Sequence, residues 1–287
     1  MRSAYAFGVE VERRETEEAC WTVARRAPSP ALRPYLLRSL EGWEQARGPA
    51  PLLREVPFPG VPLILNLDAP WAIADPGARP APRDSFVAGM HAAATLVQGA
   101  PSWACIELRL TPLGAHRLLG RPMHELTNRT VELDDVLPRP RADELTARLR
   151  ETASWSERFD LVEAFLACRL ADSLPPSPGV EWSWHRLRRT GGRASIGELA
   201  LELGWSHRRL ISRFREQIGL TPKTVARVLR FDRAVTALRA SPGRLVEIAF
   251  DCGYFDQAHL NRDFRELAGT TPTAFLGAMR ESGGISA

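Results

Sequence analysis

Over the first 110 positions the apolar residues come in short runs broken by Pro, Gly and Asp clusters, the rhythm of β-strands. The runs are "ACWTVARRA", "LLRSLEGWE", "VPLILNLD", "WAIAD", "SFVAGM", "AATLVQG" and "WACIELRL", and "DPGARPAPRD" is the plainest break. Short strands at this spacing predict a small sandwich or barrel. The rhythm changes at Thr111, where a Thr N-cap and a Pro at the first helical position open a helix over "TPLGAHRLLG". After a loop at "LPRPRA", positions 141 to 172 read as helix throughout, with Trp155, Phe159, Val162, Leu166 and Leu170 in one apolar stripe. That stripe suits a helix lying on the β-rich part and a dimer contact equally well. "SLPPSPGVEW" then reads as a linker. The pattern predicts an α+β chain: a β-rich domain over 1–110, a helical connector over 111–173, a linker over 174–182 and an all-α domain over 183–287.

The all-α part states one unit twice. "LALELGWSHRRLISRFREQIGLTP" at 199–222 returns as "IAFDCGYFDQAHLNRDFRELAGTTP" at 248–272, offset by 49 up to the glycine-aromatic pair and by 50 after it. Each copy reads as a short helix, a glycine turn, a second helix capped by Ser206 or Asp256, and Gly-x-Thr-Pro. At about 100° per residue, Leu210, Phe214 and Ile218 share one face of the first copy's second helix, with His207 and Ile211 at its edge. Leu260, Phe264 and Leu267 do so in the second copy. Opposite them lie Arg208, Arg209, Ser212 and Glu216, and Ala258, His259, Arg262 and Glu266, with Arg215 and Arg265 in matching flanking places.

Two helices meeting at a tight turn, the second with an outward basic face, is the helix-turn-helix arrangement. Arg on such a helix can pair bidentately with guanine in the major groove. A helix from Thr221-Pro222 to near Pro242-Gly243 lies between the copies; about 18 residues give roughly 27 Å, suited to successive groove segments about 34 Å apart. Charge agrees. The chain has net charge +4, but positions 180–280 hold 17 Arg/Lys against 10 Asp/Glu, leaving the remainder negative.

"IAFDCGYFDQAHLNRDFRELAGTTPTAF" resembles the signature of AraC/XylS-type transcriptional regulators through Ile248, Ala249, Gly253, Tyr254, His259, Leu260, Arg262, Phe264, Arg265, Gly269 and Pro272. The resemblance covers about the last 100 residues. It implies a seven-helix domain with two helix-turn-helix units, and an N-terminal domain, often cupin-like, for effector sensing or dimerisation. The implied partners are double-stranded operator DNA, RNA polymerase, a small-molecule effector and a second copy of the chain. The DNA-facing set is then Arg208, Arg209, Ser212, Arg215, Gln257, Ala258, His259, Asn261, Arg262 and Arg265. Arg262 is the foremost base reader, followed by Arg208. Arg209 and Arg215 are phosphate contacts. Gln257 and Asn261 are candidates for adenine edges, and His259 reads as a structural residue of the turn. Ser212 departs from the family, which usually has Arg or another DNA-contacting polar residue there; Arg213 lies about 100° further around the helix.

The alternative is an enzyme fused to a DNA-binding module. A metal-dependent cupin needs clustered His and Glu. His91, His116, His124, His185, His207 and His259 are scattered, and only His91 falls in the strand region. Cys20 and Cys105 sit among apolar or aromatic neighbours and read as inert thiols. The expectation is therefore a bacterial regulator with no catalytic residues, metal or cofactor. Trp21, Trp43, Phe58, Trp71 and Trp103 line an effector pocket or form a plain core. No apolar run reaches the roughly 20 residues of a membrane span, and no signal-peptide core precedes the N-terminal acidic cluster, so a cytoplasmic location is expected.

Overall fold

Side chains alternate between the two faces of a strand, and this chain uses that alternation to separate a dry core from a cavity. The computed structural model describes residues 8–137, 141–240 and 244–281. Its N-terminal elements are β1 (Glu10–Glu15), β2 (Cys20–Arg26), β3 (Leu40–Arg47), β4 (Leu52–Glu55), β5 (Val61–Asn66), β6 (Trp71–Ala74), β7 (Ala81–Arg83), β8 (Phe86–Ala88), β9 (Thr95–Gln98) and β10 (Trp103–Leu110). There follow α1 (Pro112–Leu119), β11 (Thr130–Glu132), α2 (Leu133–Val136), α3 (Arg141–Glu151) and α4 (Trp155–Ala171). All seven expected strands are present.

The strands form two open antiparallel sheets, ordered β1-β2-β3-β10-β5-β8-β11 and β4-β9-β6-β7. In β10, Ile106, Leu108 and Leu110 face a buried core under the helices, while Cys105, Glu107 and Arg109 face the space between the sheets. In β5 the split is Val61, Leu63 and Leu65 against Pro62 and Ile64. Helices α1 and α4 cover the outer face of the larger sheet; the Trp155 ring fills the place where a side chain on Gly42 would project. Thr111 caps α1 as expected, accepting from Gly114 N–H at 3.0 Å.

Three expectations are corrected. The single helix over 141–172 is broken between α3 and α4, because Ser154 takes an extended conformation and caps α4 through Glu157 N–H. The β-rich part does not end at 110, since β11 adds an edge strand to β8. The linker is shorter than 174–182, because Pro178 occupies the first turn of a helix, where its fixed φ is favourable. Positions 138–140 of the "LPRPRA" loop fall outside the described residues. The apolar stripe of α4 is buried within the chain: Phe159, Val162, Leu166 and Leu170 join the core.

The remaining helices are α5 (Pro178–Arg189), α6 (Ile196–Glu202), α7 (His207–Ile218), α8 (Pro222–Ala240), α9 (Leu245–Asp251), α10 (Gln257–Ala268) and α11 (Pro272–Glu281). The expected end of α8 at Pro242-Gly243 lies outside the described residues. Trp184 is buried in the core and Trp182 packs against it. The first half of α8, including Val225 and Leu229, packs into a core continuous with that of the N-terminal region. Its second half, from Phe231 to Leu238, belongs to a separate core built by α9, α10 and α11. Thus α8 spans both helical units.

Candidate nucleic-acid interface

Each repeated unit folds as two helices around a glycine turn: α6 and α7 around Gly204, α9 and α10 around Gly253. Both glycines have positive φ, 62° and 85°, a conformation costly for residues with a Cβ. Ser206 caps α7 by accepting from Arg209 N–H, and Asp256 caps α10 by accepting from His259 N–H at 2.7 Å. The inner faces are dry. Leu210, Phe214, Ile218, Leu260, Phe264 and Leu267 are fully buried.

The outer faces are open and basic. Arg208, Arg209, Ser212 and Arg215 are exposed on α7, and Ala258, Arg262 and Arg265 on α10. Gln257, His259 and Asn261 are half-buried. Among the described residues, the side chains of Arg208, Arg215, Arg262 and Arg265 make no hydrogen bond, ion pair or ring contact. Arg209 stacks over Trp205, 4.7 Å from the ring centroid. Arg213 is held by Glu216 at 3.0 Å, so it does not replace the arginine missing at Ser212. His259 is built into the turn: its ring meets Tyr254 edge-on at 5.1 Å, and its Nδ1 accepts from Phe255 N–H at 3.5 Å. Sequence reasoning did not single out Phe255. It is the residue inserted where the offset changes, and it stands 92% exposed just before the cap of α10.

The second unit is braced from behind. Arg227 of α8 pairs with Asp263 at 2.7 Å and with Glu266. Both units also rest on the N-terminal region through the ends of α7 and α10 remote from their caps. The Thr127 hydroxyl donates to Gly219 carbonyl at 2.8 Å, and beside it the Gln217 side chain accepts from the N–H of Ser177, the residue that caps α5, at 2.9 Å. At the other unit Arg54 reaches Ala268 carbonyl at 3.5 Å, and Val56 packs against the second core. The cap-proximal halves of both helices remain uncovered.

Between the two sheets lies a cavity of about 430 Å³. Trp43, Phe58, Trp71 and Trp103 line it, and Trp71 and Trp103 also pack with Ile73 and Phe86 in a small core. Trp21 does not; it lies on the larger sheet beneath the Arg14 guanidinium. Trp71 and Trp103 meet edge-on with centroids 4.9 Å apart. His91 is on the wall, bonded through Nδ1 to the Thr95 hydroxyl at 2.9 Å, and burial pushes its pKa down despite Asp75. Cys105 is also on the wall. Burial and Glu107 push its thiol far up, the opposite of what a nucleophilic thiolate requires. Among the described residues no group of three or more His, Cys, Asp or Glu side chains is placed to hold a metal ion, and no helix is long and apolar enough to cross a membrane.

This arrangement defines a double helix-turn-helix domain. Residues 199–278 match the family model described as a helix-turn-helix domain, and residues 24–132 match one described as a domain of unknown function, DUF6597. The C-terminal domain is of the helix-turn-helix kind found in AraC/XylS-type transcriptional regulators. It is similar to the HTH-type transcriptional activator RhaS of Escherichia coli O157:H7, 30% identical over 132 residues, which are 46% of this chain and 39% of that protein. It is also similar to the HTH-type transcriptional regulator MtrA of Neisseria gonorrhoeae, 24% identical over 90 residues, 31% of this chain and 29% of that one. The chain thus spans less than half the length of these curated relatives. A structure of ToxT from Vibrio cholerae overlays at 9% identity with a TM-score of 0.45, covering 83% of this chain and 97% of that one.

Proposed function

We propose that the protein is a sequence-specific double-stranded-DNA-binding transcriptional regulator, acting in the bacterial cytoplasm with RNA polymerase as its downstream partner. Its helical units read two adjacent major-groove segments, and a small molecule between its sheets adjusts that reading. The carrying observation is the pair of matched basic faces. Arg208 and Arg215 on α7, and Arg262 and Arg265 on α10, are exposed and without partners among the described residues, on helices whose opposite faces are fully buried. A surface of this kind supplies phosphate neutralisation and direct base contacts together.

The roles divide by position. Arg262 lies one turn into α10 and reads a base edge, with Gln257 and Asn261 beside it. Arg208 opens α7 and takes the reading role that Ser212 lacks, while Arg209, Arg215 and Arg265 meet phosphates. Ala258 leaves room for a thymine methyl. With 19 residues, α8 is about 28 Å long and sets the separation of the units.

The test is to mix the purified chain with fragmented genomic DNA from its source and sequence what it retains. Two short sequence blocks about 10 bp apart support the reading. A single block would show that the α7 unit only grips phosphate. No enrichment at low or moderate salt, with or without a cell extract of small molecules, would overturn it.

A further inference from the structure

The cavity between the sheets contains a carboxylate with no hydrogen-bonded or ion-paired partner among the described residues. It belongs to Glu55, which closes β4 and lines the cavity. The nearby arginines are already engaged. Arg109 bonds Glu107 at 2.6 Å and stacks over Phe58 at 4.8 Å, and Arg38 bonds both Glu107 at 3.1 Å and Glu41 at 3.0 Å. Arg239 of α8 acts on Glu55 electrostatically but also on Asp232. The wall thus carries two carboxylates, Glu55 and Glu107, against one guanidinium, Arg109, with a buried His91 biased to its neutral form. The rest of the wall is mostly aromatic and aliphatic, with Trp43, Phe58, Trp71, Phe86 and Trp103 around the void.

An excess carboxylate behind aromatic faces has a definite complement. Ring faces attract cations through their quadrupoles, and an enclosed charge gains most from an opposite charge that shares its desolvated site. An anion would meet two carboxylates and no free guanidinium on the wall. We propose that this cavity takes a lipophilic organic cation, an aryl-bearing quaternary ammonium or protonated amine, with its apolar body among the tryptophans and its positive end at Glu55. The proposal rests on the reading of the chain as an effector-controlled regulator and names the effector's class.

The same position explains how occupancy reaches DNA. Glu55 and its neighbours Arg54 and Val56 are continuous in β4 and the residue after it; Arg54 and Val56 touch the second helix-turn-helix unit. A cation at Glu55 cancels the attraction between Glu55 and Arg239 on the helix that spans both units. Binding therefore acts on the second unit while Thr127 still holds the first.

Calorimetry on the full-length chain tests the class with three aryl probes: benzyltriethylammonium, the neutral N,N-diethylbenzamide and the anionic 4-phenylbutyrate. The cation is expected to bind in preference to the others, and Glu55→Gln to weaken it about tenfold or more. Val97→Trp, which fills the cavity, is expected to abolish binding. Benzamide or phenylbutyrate binding as tightly as the cation would overturn the charge assignment. So would an unchanged affinity in Glu55→Gln. If the benzamide binds as tightly as the cation and Val97→Trp removes it, the effector cavity stands and only the cationic class falls. If no probe binds at millimolar concentration the proposal falls, and sequence-selective DNA retention by the same sample separates that result from failure of the regulator reading.

Discussion

The Thr127 hydroxyl donates a 2.8 Å hydrogen bond to the carbonyl of Gly219, the residue that ends the first recognition helix. The bond joins the N-terminal region to α7 at the end remote from its cap and from Arg208 and Arg209. Arg54 makes the corresponding approach to Ala268 at the end of α10. The N-terminal region therefore grips both units by the same place, and their relative setting depends on that grip as well as on α8.

Breaking the first grip has a calculable cost. Thr127→Val keeps the shape but leaves the buried Gly219 carbonyl without its donor, an expected loss of about 1 kcal/mol. Gly219→Ala is expected to cost more, about 1–3 kcal/mol, since its φ is 101° and a Cβ would lie 3.1 Å from Met123 carbonyl. Denaturant unfolding of the full chain measures both. A Gly219→Ala protein as stable as wild type would show that the helix end is not constrained there.

The outward arginines separate by role. Arg262→Ala is expected to weaken operator binding by roughly 1–3 kcal/mol and to relax preference at one base pair. Arg215→Ala is expected to weaken binding evenly across sequences and to reduce the salt slope by about 1. Ser212→Ala should change little. Titrations against a library of single-base operator variants at two salt concentrations resolve these patterns. Equal specificity profiles for wild type and Arg262→Ala would remove Arg262 as a reader.

The helical units were legible because their information is local. A cap, an apolar face recurring every three or four residues and a glycine turn all lie within some 25 positions, and Ser206, Asp256, Gly204 and Gly253 serve as the spacing predicts. The strands that escaped notice are those whose side chains do not alternate in polarity. In β1 the sequence is "EVERRE" on an exposed edge, and β7 is "APR", with a proline that only an edge strand tolerates. Contacts between distant positions were out of reach. Thr127 and Gly219 are 92 residues apart. The isolation of Glu55 depends on two sheets facing each other, which no single window of sequence records.

Arg227 is predicted to be the brace of the second unit. Asp263 is only 3% exposed and is ion-paired with Arg227. Arg227→Met preserves the aliphatic stem but strands that carboxylate, at an expected cost of about 3 kcal/mol. Because α10 belongs to its own core, the loss should appear first at the second half-site. Footprinting of Arg227→Met should show protection fading there while the α7 half-site persists. Simultaneous loss of both footprints would mean that the units unfold together.

Glu55→Gln should make the chain more stable at neutral pH. Burial and then Glu107 push the Glu55 carboxyl above its ordinary range, and Arg109, Arg239 and Arg38 only partly counter this. The folded carboxyl thus keeps its proton to higher pH than the unfolded one. Its contribution is fully present below the unfolded carboxylate range and is lost as pH rises through the raised folded value. At neutral pH the ionised side chain is a net cost, which the uncharged amide of Gln removes. His91 works in the other direction, since its depressed folded value makes stability fall as pH drops below the ordinary imidazole range. That slope is common to wild type and variant, so the difference between their melting temperatures isolates Glu55. The difference should favour Glu55→Gln at neutral pH and shrink as pH falls into the carboxylate range. A variant that melts below wild type at every pH would show Glu55 to be a structural partner. A carboxylate kept at a cost to stability is instead what a site held open for a cation requires.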